Sequence, residues 1–245
     1  SAASDVYKRQ QYMMISVVIA AYNGGEYIAQ QLSSVLPQLG EDDEVVISDD
    51  FPSGSTAKAV APFLLTDKRV KYIKGPGKGV IKNFENAINY ASGDYIFLCD
   101  QDDVWLDGKV SAVMKAFEGG ASVVMHDAYI TDSKLNVTEN SLFSKNGAGT
   151  GCVKNIIKNT YTGCCMAFSA KIKKYILPFP DAIPMHDQWI GLIGEKAGKV
   201  ALINEPYIYY RRHDGTATGG KTSFLQKIKW RADIIRCLSE RRVDL

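Results

Sequence analysis

The sequence predicts an α/β fold: a doubly wound, mostly parallel sheet with helices on both faces. Three features predict it. Short apolar runs rich in β-branched residues recur through the first half of the chain. Segments with apolar residues at helical spacing separate those runs. The links between the two are short, as parallel crossover units require.

Ile15 to Ala21 is a continuous apolar run, as expected of a strand buried on both faces. Glu26 to Leu39 follows with apolar residues at 28, 32, 35, 36 and 39, a helical pattern. Glu44 to Ser48 predicts a second strand, and Thr56 to Leu65 a helix interrupted by Pro62. Val70 to Lys74 predicts a third strand. Gly75-Pro76-Gly77 then turns the chain into a helix over Val80 to Tyr90. The glycines there lack the G-x-x-x-x-G-K-[ST] spacing of a phosphate loop. Tyr95 to Cys99 predicts a fourth strand, Asp107 to Glu118 a helix, and Ser122 to His126 a fifth strand.

The second half is less regular. Ala148 to Gly151 predicts a mobile connection. Tyr161 to Ser169 predicts a strand and Lys171 to Leu177 a short helix. A prolyl loop then ends in His186-Asp187-Gln188-Trp189, where another helix begins. Val200 to Asn204 and Tyr207 to Arg211 predict two more strands. Residues 1–12 are polar and aperiodic and read as a leader or remnant outside the fold. Residues 13–220 read as one compact domain, and residues 221–245 as a basic amphipathic helix.

The 245 residues are 46% hydrophobic and 23% charged, which excludes disordered and low-complexity classes. The net charge of +2 argues against a protein that works by coating nucleic acid. From residue 221 onward there are seven Lys/Arg against three Asp/Glu, leaving 22 against 24 in the rest. A mildly acidic body thus carries a basic tail. The apolar run at 15–22 is far too short to span a bilayer. Five cysteines without a C-x-x-C pair read as reduced thiols in a cytoplasmic setting. With only His126, His186 and His213 available, a structural zinc site does not fit.

Sheets of this kind bind ligands beyond the carboxyl ends of their strands. Ala21-Tyr22-Asn23-Gly24-Gly25 follows the first strand, and Asp49-Asp50 ends the second. Asp100-Gln101-Asp102-Asp103 follows the fourth. Three carboxylates within four residues repel one another unless a cation or donors sit among them. Oxygen ligands at a strand end suit magnesium or manganese, which also takes phosphate oxygens. An isolated acidic turn that caps the next helix is the competing reading. The convergence of three clusters on one edge disfavours it.

These motifs resemble a known family. Ile15-Ser-Val-Val-Ile-Ala-Ala-Tyr-Asn23, Val46-Ile-Ser-Asp-Asp50 and Cys99-Asp-Gln-Asp-Asp-Val-Trp105 are similar to the family-2 glycosyltransferases with the GT-A fold. Asn83-Phe84-Glu85 and Gly93-Asp94-Tyr95-Ile96-Phe97 fit as well. The likeness is greatest to bacterial rhamnosyltransferase-like enzymes of surface polysaccharide synthesis, and it runs from about Met14 to Gly220.

The resemblance implies a nucleotide-binding half up to about Asp103 and an acceptor half after it. Ala21, Tyr22, Asn23, Glu26, Asp49, Asp50, Asn83, Asp100 and Gln101 then belong to the nucleotide site. Tyr22 would contact the pyrimidine ring, Asp49 its N–H, and Asp100 the ribose. Asp102 and His213 would hold a manganese or magnesium ion on the diphosphate. Asp187 would be the base that takes the acceptor hydroxyl proton in inverting transfer. The start of the following helix would lower its pKa and enclosure would raise it, a contest the sequence leaves open. Asp103, Trp105, Gly163, Cys164, His186, Trp189, Arg211 and Arg212 would touch the acceptor or support the site, the arginines by neutralising phosphate. The small residues Thr162-Gly163-Cys164-Cys165 would floor the acceptor site, and 216–220 would form a loop over the donor.

Two positions depart from the family. His186 stands where an acidic residue often precedes the base. Phe51-Pro52-Ser53 stands between Asp50 and Gly54, where the family usually reads D-D-G-S, which unsettles the base and ribose contacts. His126-Asp127 ends the fifth strand, with a site role and a structural role both open.

The implied activity is inverting, metal-dependent transfer of a sugar, by preference rhamnose from dTDP-rhamnose, with UDP-sugars the other donors. The acceptor would be a saccharide or lipid-linked saccharide at the inner face of the membrane. Apolar residues at 225, 228, 232 and 235 among Lys227, Lys229, Arg231 and Arg236 fit a tail helix resting on anionic lipid. They fit equally a helix packed on the body. Two alternatives remain: a nucleotidyltransferase on sugar phosphates, disfavoured by the missing basic Gly-rich loop near the first strand, and an inactive sugar-nucleotide-binding module.

Overall fold

The computed structural model describes residues 13–213 and 223–244. The 1–12 segment and the 216–220 loop lie outside them.

The first half alternates as the sequence pattern predicts. β1 (Ile15–Ala21), α1 (Ile28–Val35), β2 (Glu44–Asp49), α2 (Thr56–Thr66), β3 (Val70–Lys74), α3 (Val80–Tyr90) and β4 (Tyr95–Asp100) follow one another. β1 and β2 are buried almost throughout, which is why they read as unbroken apolar runs. The predicted first helix is shorter at both ends: Pro37 turns its last residues into a 3-10 segment, Leu36–Gln38. Pro62 does not interrupt α2. It sits on the exposed side of a helix that buries only Thr56 and Val60, so its ring meets solvent.

β5 (Val104–Trp105), α4 (Lys109–Glu118), β6 (Ala121–Thr131) and β7 (Val137–Glu139) come next, then α5 (Leu142–Asn146) and α6 (Cys152–Ile157). They are followed by β8 (Met166–Ser169), α7 (Lys173–Ile176), α8 (His186–Ala197), β9 (Lys199–Arg211) and α9 (Phe224–Glu240). Gly108, left-handed at φ +83°, delays the start of α4 to Lys109.

Nine strands form one sheet in the order β3-β2-β1-β4-β8-β6-β9-β5, with β7 paired to β6. The four strands of the first half are all parallel. The antiparallel pairs lie in the second half, where β8 runs against β4 and β6, and β5 against β9.

Four expectations need correction there. The fifth strand continues past His126 to Thr131. The two predicted strands after residue 199 are one, β9, which follows β6 through register shifts around Asp127 and Pro206. Only Met166–Ser169 of the predicted 161–169 strand is extended, because Gly163–Cys165 forms a 3-10 turn. The Gly-rich 148–151 connection is tied down: Gly149 O accepts from Asn155 Nδ2 and Thr160 Oγ1, and Gly151 N donates to Glu195.

Candidate active site

Parallel register brings the acidic clusters together. Ala21 lies opposite Asp49, and Ala20 opposite Asp100, so the chain leaves β1, β2 and β4 at one edge. A cavity of about 710 Å³ opens there.

Around the ends of β1, β2 and β4, Ala21, Tyr22, Asp50, Asn83, Asp100, Gln101 and Asp102 line it. Gln101 holds the loop after β1 by a two-pronged bond: Oε1 accepts from Tyr22 N at 2.9 Å, and Nε2 donates to Tyr22 O at 3.1 Å. Gly24 makes room for that amide, since a Cβ there would meet Gln101 Oε1 at 2.1 Å. Asn23, at φ +49°, accepts from Ser55 N and Oγ and so joins the loops after β1 and β2. Tyr22 is 63% exposed and its ring lies 5.5 Å from that of Phe51. The inserted Phe51-Pro52-Ser53 therefore adds a second aromatic ring beside Tyr22.

Asp49 is buried and does not line the cavity. Its carboxylate accepts from Tyr72 OH at 2.6 Å and Phe51 N at 2.9 Å. Asp50 accepts from Gly77 N and Gly79 N, fixing the glycine turn after β3. Asn83 donates to Ala21 O, while its buried Oδ1 has no partner among the described residues. Glu26 is exposed and stands off the cavity wall.

The acidic loop is held from β9. Arg211 N donates to Asp103 Oδ1 at 3.0 Å, and its guanidinium donates to Asp102 O, Ser133 O and Gln30 Oε1. Tyr27 covers it at 4.6 Å. Arg211 is thus a clamp on the acidic loop. Arg211 and Arg212 both line the cavity. Burial pushes the Asp103 carboxyl up to about 7, with Asp102 adding to the effect. Burial, then Asp103 and Asp102, push Asp100 well above the usual range. Below the loop Lys109 is fully buried, donating to Cys164 O at 3.0 Å and lying 3.9 Å from the Trp105 ring centroid. Trp105 also packs on Phe97 and stands off the cavity.

Two groups could take a cation. Asp102 Oδ2 and His213 Nε2 are hydrogen-bonded at 2.9 Å, which sets an oxygen and an imidazole nitrogen side by side. Asp100, Asp103 and Cys164 bring ligand atoms within 4.8 Å of one another. The Cys164 thiol is pushed well up, first by its bond with Cys165 and then by burial, so it stays protonated and offers a poor ligand. The Asp102–His213 pair, one carboxylate oxygen and one imidazole nitrogen, is the better donor set of the two for a divalent cation.

Tyr161, Thr162, Gly163, Met185, His186 and Asp187, from the second half of the chain, line the same cavity. Asp187 starts α8. Enclosure wins the contest over its pKa: burial raises it to about 6, against bonds from Gln188 N and Asn159 Nδ2. His186 stacks on Phe84 with centroids 4.1 Å apart, and burial lowers its pKa to about 3, so the ring is neutral. Gly163 allows the approach, since a Cβ there would meet His186 Nε2 at 2.8 Å. Trp189 is core: its Nε1 donates to Ile176 O. Asp127 is structural, accepting from Ser141 Oγ and Phe143 N at the start of α5. All five cysteines are free.

Sequence reasoning missed Phe51, Asn159 and Lys109. The insertion after Asp50 was a signal for Phe51. Asn159 and Lys109 carry none, because the fold alone brings them to Asp187 and Asp103.

Known proteins are similar to this chain along most of its length. GlyG, a glycosyltransferase of Streptococcus pneumoniae, is 25% identical over 94% of this chain and 80% of its own. RfbG, a dTDP-rhamnosyl transferase of Shigella flexneri, is 27% identical over 86% of this chain and 77% of its own. WfgD of Escherichia coli, a UDP-Glc:alpha-D-GlcNAc-diphosphoundecaprenol beta-1,3-glucosyltransferase, is 25% identical over 87% and 83%. Staphylococcus aureus TarS, crystallised with UDP-GlcNAc, superposes with a TM-score of 0.73 at 19% identity, covering 95% of this chain and 68% of that one. That likeness speaks to the fold. The sequence pattern of glycosyl transferase family 2 matches residues 16–176, and the chain belongs to that family.

Proposed function

We propose that the chain is an inverting, divalent-cation-dependent glycosyltransferase that moves a hexosyl unit from a pyrimidine nucleoside diphosphate donor to a saccharide hydroxyl. One observation carries the reading: the acidic strand ends and the enclosed Asp187 line a single cavity. Tyr22 and Phe51 offer the base an aromatic face. Asn83 lines the cavity beside them, whereas Asp49, to which the resemblance gave the ring N–H, lies behind the wall with its carboxylate engaged by Tyr72 and Phe51 N. Asp100 takes the ribose, and Arg212 the phosphate charge. Asp102 and His213 hold the cation, which when bound offsets charge on the departing diphosphate. Asp187 accepts the proton of the attacking hydroxyl. Its raised pKa leaves it ionised at neutral pH yet more basic than a solvated carboxylate.

Rhamnose from dTDP-rhamnose is the preferred donor, supported by the similarity to RfbG. A lipid-linked saccharide is the preferred acceptor, supported by WfgD, whose name carries an undecaprenol-linked substrate. The chain would then work in the cytoplasm against the inner face of the membrane, as one domain over 13–220 with a tail helix that touches lipid. Asp187→Asn tests the mechanism. Donor binding by calorimetry is unchanged, while transfer falls by about 10³-fold or more. Retained turnover assigns the proton to another base.

A further inference from the structure

The tail helix packs on the body with an unexpected face. Ile234, Cys237 and Leu238 are its buried residues. The arc with residues 225, 228, 232 and 235, joined by Phe224, points the other way. Phe224 is 73% exposed and Leu225 77%, and Ile228 and Ile235 are exposed as well. A second element extends this apolar surface. α6 lies against α9, and Arg231 donates from Nε and a terminal nitrogen to Ile157 O at 3.0 and 2.7 Å. On α6 Val153 is 72% and Ile157 58% exposed. These two helices hold seven of the fourteen exposed large hydrophobic side chains among the described residues.

We infer that α6 and α9 together form one docking surface for an anionic bilayer. Charge selects the occupant. Lys227 and Arg231 flank one edge of the α9 apolar arc, and Lys229 and Arg236 the other. Lys154 on α6 and Lys158 just past its end are exposed, and α6 carries no acidic residue. On α9 one of the two acidic residues, Asp233, is paired with Arg236. Apolar side chains bordered by long basic ones fit the headgroup boundary of an anionic membrane. A second copy of this chain would set basic edge against basic edge. The surface also adjoins the site: Asn159, two residues beyond Ile157, donates to Asp187 Oδ1 at 3.1 Å. Docking there would bring a lipid-anchored saccharide to the acceptor side of the cavity, a consequence that rests on the proposed function.

The test is co-sedimentation of the full chain with phosphatidylglycerol vesicles and with phosphatidylcholine vesicles, at low and high salt. Binding to phosphatidylglycerol alone, weakening with salt, is expected. Leu225→Ser/Ile228→Ser and Val153→Ser/Ile157→Ser, each checked by circular dichroism, should each weaken it about tenfold or more, from lost apolar burial. Lys229→Gln should weaken it about fivefold. Absent binding, equal binding to both lipids, or an unaffected α6 pair overturns the two-helix surface. So does a dimer in solution that the same substitutions dissolve, since a second copy then covers the face. Nucleotide-sugar thermal shifts on the same samples keep the questions apart. Shifts without vesicle binding end this proposal alone, and vesicle binding without shifts ends the glycosyltransfer reading alone.

Discussion

Asp187 shows how a single residue acquires its chemistry from enclosure. Its position at a helix start was legible from His186-Asp187 and the following pattern, but the sign of its pKa shift was not. Asn159 and Gly163 reach it only through the fold. If Asp187 is the base, as proposed, it must be ionised; with its pKa at about 6, activity should fall as pH drops through that value. Asn159→Ala removes a donor that favours the carboxylate, so the acid limb of the pH–kcat profile should move upward by about half a unit to one unit. An unmoved limb assigns the titration to another group. Phe51 teaches the converse. As a sequence feature it disturbed a familiar motif, yet its ring lies beside that of Tyr22, which lines the cavity.

At the scale of elements, local pattern determined the first half and long-range pairing the second. β1, β2 and β4 are buried on both faces, so their composition announces them. β9 follows β6 through irregular register, and a bulged ladder leaves no simple period to read. The acidic loop depends on that ladder. Arg211, at the end of β9, spends its guanidinium on Asp102 O, Ser133 O and Gln30, which was invisible in a Tyr-Arg-Arg-His string. Arg211→Lys cannot reproduce the fork and should cost about 2–3 kcal/mol. The melting temperature should then drop by about 4–12 °C. An unchanged melting temperature with a raised donor KM would return the residue to phosphate binding. Glu44, at the start of β2, accepts from Ser16, Ser92 and Lys71. Burial alone would raise its pKa, but these bonds outweigh burial and hold it at about 2. A depressed folded-state value stabilises the protein above the unfolded value of 4.5, and that contribution is lost as pH falls towards 2. Glu44→Gln should cost about 1–3 kcal/mol at neutral pH and flatten the decline below pH 4.5 in denaturant titrations.

Across the whole molecule the sheet sets two kinds of surface against one cavity. The parallel half supplies acidic strand ends, and the α8 start and the 3-10 turn at Gly163 supply the wall that carries the enclosed Asp187. Among the described residues no helix is long and apolar enough to cross a membrane. The amphipathic tail was legible as a pattern, but which side faces the body was not, because Ile234, Cys237 and Leu238 find their partners only in the fold. Chelation should abolish transfer, and manganese should restore it. The most direct test of the central claim is thermal stability with a panel of nucleotide sugars plus manganese, for the wild type and for Asp102→Asn. At a hundredfold excess over its dissociation constant a bound donor adds about 2.7 kcal/mol. One UDP- or dTDP-sugar should therefore raise the wild-type melting temperature by several degrees and leave Asp102→Asn unmoved. A panel in which no nucleotide sugar shifts the wild type, or in which the variant responds equally, contradicts the account.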